Sequence, residues 1–253
     1  MVDAPDDPLE EEEPLTRLRL SRRGVVVLGA FVVGALGLAG WIFFFSSVLD
    51  VRSVAVQGLR NDQLTVDQVR EAIGPVQDGP LARVDLDAIR LRVEAIPRVA
   101  KAEVWRGWPH TLRVKVVERQ AVAAVKGADG QFTQVDAGGV SFATQPAPPA
   151  GVPVVELQLS QAAQDATGVL PQAALIQGAV QVAAALPPEV AKQAGSLQVR
   201  SYDDIELHLT GGATVRWGSA ERTERKAKVL LALMRQKASA YDVSAPDAPA
   251  ISG

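Results

Sequence analysis

The chain has no cysteine, only two histidines, and few aromatic residues, 5% of 253. Without cysteine there are no disulfides and no thiolate metal sites, so any exported part must rest on packed apolar cores. Two histidines leave little room for proton-transfer chemistry. His110 falls in a predicted hairpin turn, and His208 alternates outward from Leu207 and Leu209, so both read as surface residues rather than general bases. No G-x-S-x-G, no G-x-x-x-x-G-K-[ST] and no H-E-x-x-H occurs. Asp203, Asp204 and Glu206 form the nearest approach to a carboxylate cluster. Paired aspartates between two strands are ordinary turn chemistry, because their side chains bond nearby backbone amides. No catalytic, cofactor-binding or metal-ligating residue is therefore expected. The shortage of aromatics argues against a membrane β-barrel with its aromatic girdles. A formal net charge of -3 gives nucleic acid no reason to bind.

What the chain does have is one unbroken uncharged run, VVVLGAFVVGALGLAGWIFFF, over residues 25–45. At about 1.5 Å per residue it reaches about 31 Å, matching a hydrocarbon core of about 30 Å. Arg17, Arg19, Arg22 and Arg23 crowd its N-terminal side, while Asp50 and a single Arg52 follow it. The basic flank stays cytoplasmic, so this pattern predicts a single-pass plasma-membrane protein with its N-terminus inside. A cleaved signal peptide has a shorter apolar stretch and a small-residue cleavage site, and FFFSSVLD offers no A-x-A pattern. Ala30, Gly34, Ala35 and Ala39 would let a second helix approach closely, which leaves weak self-association as the alternative to ordinary composition. The first thirteen residues hold Asp3, Asp6, Asp7 and four consecutive glutamates with no basic residue. Residues 1–23 thus read as a solvated, disordered cytoplasmic tail, and 24–48 as the membrane helix.

Residues 50–119 predict an α+β unit. Val51, Val54 and Val56 open a strand ending at Gly58. Thr65 and Gln68 fit a capping box, and the helix they start stops at Gly74-Pro75. Asp85 caps a second helix with Leu86, Ile89, Val93 and Ile96 on one face, and Pro97 ends it. Two alternating segments follow. Ala102, Val104 and Arg106 share a face, as do Leu112, Val114 and Val116, with a turn at Gly107-Trp108-Pro109-His110. The order strand, helix, helix, strand, strand puts two helices on one side of a three-stranded sheet.

Residues 120–245 predict a mixed β unit. Strands are expected over 122–125 and 131–136, and a proline-bearing loop runs to Pro153. An Ala-rich helix spans 170–186, three strands lie between 197 and 217, a helix covers 221–237, and a last short strand starts at Tyr241. Residues 246–253 read as a tail. The cationic start of the late helix, Arg222 to Lys228, is read as a solvated face, with an acidic partner or anionic lipid as the alternative.

Several pieces together resemble one family: Gly58, Ile96-Pro97-Arg98-Val99, Arg106-Gly107-Trp108-Pro109, Thr111-Leu112 and Val116-Val117-Glu118-Arg119, just outside a single N-terminal membrane helix. Later matches are Val135-Asp136, Gly139 and Phe142, then Gly211-Gly212, Lys226-x-Lys228, Tyr241-Asp242-Val243 and Pro246. The chain resembles the FtsQ/DivIB cell-division proteins, which carry a POTRA domain followed by a β domain. One departure is Gln120-Ala121-Val122-Ala123, where the family usually has a basic residue, Pro, Val and Ala. The resemblance implies a non-enzymatic divisome scaffold at the septum. Its partners would be FtsB/DivIC and FtsL homologues and other divisome membrane proteins, and it would influence septal peptidoglycan synthesis. It implies strand addition at a C-terminal edge within residues 241–251, here assigned to Tyr241, Asp242, Val243 and Ser244. Pro246 and Pro249 lack donors and argue against a long ladder. The hairpin residues Arg106, Trp108 and His110 form a second expected docking surface. The competing reading is a membrane-anchored cell-wall enzyme with a site at Asp203, Asp204 or Glu206.

Overall fold

A computed structural model of the chain describes residues 22–45, 49–60, 63–76, 79–165 and 171–253. The acidic tail, Arg17 and Arg19 lie outside the described residues. Helix α1 (Arg22–Phe45) is long and apolar enough to cross a membrane. It is apolar all round yet packs against no protein core, with Phe31 73% exposed. Such an all-round apolar surface fits a lipid setting by composition.

Next comes a unit of β1 (Ser53–Gln57), α2 (Val66–Ile73), a 3₁₀ turn (Leu81–Arg83), α3 (Leu86–Glu94), β2 (Val99–Gly107) and β3 (Thr111–Glu118). The sheet order is β1-β3-β2, with β1 parallel and β2 antiparallel to β3. The expected signals produce it. The Thr65 hydroxyl accepts from the Gln68 N–H at 3.2 Å, while the Gln68 side chain accepts from the Thr65 N–H at 3.0 Å. Asp85 caps α3 through the Ala88 N–H at 3.0 Å. Val69, Ile73, Ile89 and Val93 from the helices meet Ala102, Leu112, Val114 and Val116 from the sheet in one buried core. The alternation read from the hairpin is the alternation that buries it.

The second unit is one nine-stranded sheet. Its elements are β4 (Ala121–Lys126), β5 (Phe132–Asp136), β6 (Ser141–Gln145), β7 (Val154–Leu157), α4 (Gln161–Asp165), α5 (Gln172–Ala185), α6 (Pro188–Ala191), β8 (Ala194–Ser201), β9 (Asp204–Leu209), β10 (Thr214–Gly218), α7 (Thr223–Leu233), β11 (Ala240–Asp242) and β12 (Ala250–Ser252). The order across the sheet is β12-β11-β10-β9-β8-β7-β4-β5-β6. Helices α5 and α7 cover one face, where Leu175, Val180 and Leu230 pack on Leu197, Leu207, Val215 and Trp217. On β8 to β10 the other side carries Gln198, Glu206, His208 and Arg216, partly or fully exposed. Such alternation marks an antiparallel sheet with one wet face.

Several elements depart from the sequence reading. The proline-bearing stretch is followed by β7, which pairs in parallel with both β4 and β8 and so joins the halves of the sheet. A short helix not expected from the sequence, α6, follows α5, with Pro188 in its first turn, where its missing N–H costs nothing. The expected helix over 221–237 is shorter, because Arg222 is in the left-handed region with φ 53° and α7 begins at Thr223.

Lys226 shows how tightly α7 is joined to the sheet. It is almost fully buried, and its ammonium donates to the Trp217 carbonyl at 3.0 Å and the Ser219 carbonyl at 2.8 Å. Burial, with Arg222 nearby, holds its pKa below the ordinary 10.5. Lys226→Met keeps the length but leaves two carbonyls unpaired, and a loss of about 2–4 kcal/mol is expected in denaturant unfolding. In the wild type the unfolded chain holds that proton more tightly. Lys226 therefore makes stability rise with pH between its lowered folded value and 10.5. The wild-type rise should be flattened in the variant.

Candidate functional site

The expected binding residues lie one strand inside the sheet edge. Strand β11 pairs on one side with β10 (Val215 beside Tyr241) and on the other with β12 (Ile251 beside Tyr241). The Tyr241 ring is buried, its hydroxyl donating to the Gln236 carbonyl at 2.9 Å and accepting from the Ala238 N–H at 3.2 Å. The Val243 N–H donates to the Arg216 carbonyl at 3.0 Å. Asp242 accepts from the Ser244 N–H at 2.9 Å and the Ser244 hydroxyl at 2.6 Å, an Asx turn that ends the strand. So Tyr241, Asp242, Val243 and Ser244 hold the sheet together, and their backbone is already paired or turned. The reading of 246–253 as a tail is likewise corrected, because Ala250, Ile251 and Ser252 form β12, the outermost strand. Its three residues are exposed, with Ile251 41% open on the side of the sheet that carries Tyr241. A shallow groove of about 290 Å³ runs over Thr214, Arg216, Asp242 and Ala250 beside it.

The return from β11 to β12 is pinned by a residue that sequence reasoning passed over. Asp247 pairs with Arg222 at 2.9 Å and with Arg225 at the start of α7. The cationic stretch is thus largely a solvated face, as read: Arg222 and Arg225 stay exposed while pairing with Asp247, Lys228 is exposed, and only Lys226 is buried. A signal for Asp247 was present, since a lone acid between Pro246 and Pro249 faces a cluster of bases.

In the first unit, the hairpin residues separate into three roles. The Arg106 guanidinium donates to the carbonyls of Leu81 (2.9 Å), Ala82 (3.2 Å) and Val84 (2.8 Å), which fixes the 3₁₀ turn against β2. It is committed to the fold rather than offered for docking. His110 lies with Nδ1 3.3 Å from the Asp50 carbonyl. Trp108, at the tip, is 48% exposed. Glu206 and Asp204 pair with Arg200, and His208 Nε2 sits 3.7 Å from Glu206. Among the described residues, no three His, Cys, Asp or Glu side chains are grouped to hold a metal ion.

The two units meet at Arg119. Its N–H donates to the Arg98 carbonyl at 2.8 Å and its Nε to Pro97 at 3.0 Å, while Nη1 pairs with Asp136 at 2.5 Å. Asp136 also accepts from the Gly138 and Val140 N–H groups at 3.0 and 2.9 Å, closing the β5–β6 turn. Burial pushes the Asp136 pKa up, but the Val140 N–H, the Arg119 charge and the Gly138 N–H outweigh it, and the carboxyl is held below 3.8. A depressed folded pKa stabilises above the unfolded value, and that contribution is lost as pH falls through the folded one. Asp136→Asn is expected to cost about 1–2 kcal/mol at pH 7. The gap to wild type should close as pH falls below about 3.8, read by unfolding at several pH values.

Two family models match. A POTRA domain of FtsQ type covers residues 49–119, and the C-terminal region of the cell division protein FtsQ/DivIB covers 123–247. The chain belongs to the FtsQ/DivIB cell-division family. The relative from Streptomyces bingchenggensis, named cell division protein FtsQ, is 43% identical over 93% of this chain and 88% of its own length. A protein of the same name from Streptomyces coelicolor is 40% identical over 91% and 88%. A third, from Mycobacteroides abscessus, is 39% identical over 90% and 68%. The family fits an α+β chain with a POTRA unit, a β unit and an apolar helix before them.

Proposed function

We propose that this protein is a non-enzymatic scaffold of the division septum. Its α1 helix anchors it in the plasma membrane with the N-terminus inside, and the POTRA and β units stand on the outer side. There it recruits FtsB/DivIC- and FtsL-type membrane proteins and, through them, helps control septal peptidoglycan synthesis. The observation that carries this reading is β12, a short, exposed strand with no described strand beyond it, in a chain of this family. An unpaired edge offers N–H and C=O groups to an incoming strand, so main-chain bonds supply affinity and side chains supply choice. The bases around Glu206 favour a structural role for those carboxylates over an enzymatic one.

The test is a titration of the full chain in nanodiscs with the extracytoplasmic segment of the FtsB/DivIC-type protein from the same cell. Saturable binding supports the scaffold. Absence of binding with either that segment or its FtsL-type companion, together with peptidoglycan hydrolysis by the chain, would replace it with the cell-wall enzyme.

A further inference from the structure

We infer that Trp108, together with Arg113 on the same hairpin and Arg52 and Arg83 on the segments joined to it, seats the POTRA unit on the phospholipid headgroups of the bilayer that α1 crosses. This rests on the membrane anchoring proposed above.

Chain geometry carries the argument. Helix α1 ends at Phe45, and Asp50 follows five residues later, a span of at most about 18 Å. At Asp50 the backbone bridges to Pro80, and the Asp50 carbonyl lies 3.3 Å from His110 Nδ1. The N–H groups of Arg52 and Ser53 donate to the His110 carbonyl at 2.9 and 3.3 Å. The 3₁₀ turn Leu81–Arg83 touches α1, and Arg106 binds that turn to the hairpin strand. Thus the emerging chain, the 3₁₀ turn and the hairpin tip are gathered at one end of the domain. That end is the part of the domain tethered nearest the point where α1 leaves the bilayer.

The residues gathered there suit headgroups. A tryptophan ring has an apolar body and one polar N–H, which is why tryptophan collects at membrane–water interfaces. Arg52 and Arg83 are exposed on the two connected segments. Arg113 lies across Gly107 beside the tip, so close that a Cβ on Gly107 would sit 2.7 Å from its Nε. Guanidinium groups bind phosphate oxygens in pairs of hydrogen bonds.

The experiment uses the full chain in nanodiscs of phosphatidylcholine and phosphatidylglycerol, with a nitroxide quencher on the headgroup. Trp41→Phe and Trp105→Phe leave Trp108 and Trp217, the latter fully buried in the second unit and serving as the unquenched reference. The Trp108 share of the emission, found by subtracting the further Trp108→Phe variant, should fall by at least half. Emission from Trp108 that matches the quencher-free value would overturn the proposal and return the tip to a protein partner. A chain that keeps Trp41 reports on the anchor itself through acyl-chain quenchers. If Trp41 escapes quenching, the membrane reading fails and this inference with it. If Trp41 is quenched and Trp108 is not, only this inference fails. Should Trp105→Phe unfold the domain, the absence of native cysteine allows a second route, a fluorophore on Arg83→Cys with every tryptophan intact. Headgroup quenching of that label supports the proposal, and its absence overturns it.

Discussion

Gly58→Ala should unfold the POTRA unit while leaving the second unit folded. Gly58 closes β1 with φ +91°, a region that side-chain-bearing residues avoid. The decisive fact is space. A Cβ there would lie 2.1 Å from the carbonyl oxygen of Val116, a backbone atom in the neighbouring strand. Strand β1 is paired with β3 up to Gln57 beside Lys115, so neither backbone can move without breaking the parallel ladder. Strain at such a φ costs about 1–3 kcal/mol alone. The collision adds to it, and a total loss of at least about 4 kcal/mol is expected, beyond most point substitutions. Gly139 is the control. It has φ +81° in the β5–β6 turn, but nothing lies within 4 Å of its added Cβ, so Gly139→Ala should cost about 1 kcal/mol. Denaturant unfolding read through Trp105 and Trp108 reports the first unit, and Trp217 reports the second. Equal losses for the two variants would refute the close-approach account.

That contrast also marks what the sequence could reveal. The POTRA unit was legible because its signals are local. Thr65 and Gln68 are three residues apart, Asp85 precedes its helix directly, and alternation in 102–116 needs no partner to be seen. Gly58 was visible as the end of a strand, but its collision partner is 58 residues away. The bonds of Arg106 were hidden for the same reason: nothing near it in sequence shows that the carbonyls of Leu81, Ala82 and Val84 are brought to it. The second unit hid more. Strand β7 has only four residues and gains its place by pairing with β4 and β8, both distant in sequence. Strand β12 follows two prolines that read as the end of regular structure. Pro246 is instead buried beside the Asx turn, and exposed ion pairs from Asp247 to Arg222 and Arg225 accompany the return of the chain. The motif at Tyr241-Asp242-Val243 lies next to one edge of the sheet but does not tell which strand is outermost. Outermost position is a property of topology, which no three-residue pattern encodes.

Proline placed in β12 should abolish recruitment of the FtsB/DivIC-type partner without touching stability. Successive N–H groups along a strand point to opposite sides in the sheet plane. Of Ala250 and Ile251, one therefore donates toward β11 and the other donates outward. Proline at the outward position removes a donor that only an incoming strand uses, and Kd should rise at least 100-fold, about 2.7 kcal/mol. Thermal unfolding should stay within a degree or two, because β12 is exposed and the core beneath it is anchored by Tyr241 and Val243. Proline at the inward position breaks the β11–β12 ladder and should weaken binding as well, by releasing the edge. Val243→Pro is the wrong probe, since it deletes the Val243 bond to Arg216 and weakens the sheet itself. Ile251→Ala separates the remaining contribution. An incoming strand would cover the exposed side chain, so its truncation should lower affinity several-fold while the main-chain ladder survives. Were both prolines to leave Kd within threefold of wild type, strand addition at β12 would be excluded. The contact would then have to lie on the wet face of the sheet, where Glu206, His208 and Arg216 are the side chains to replace next.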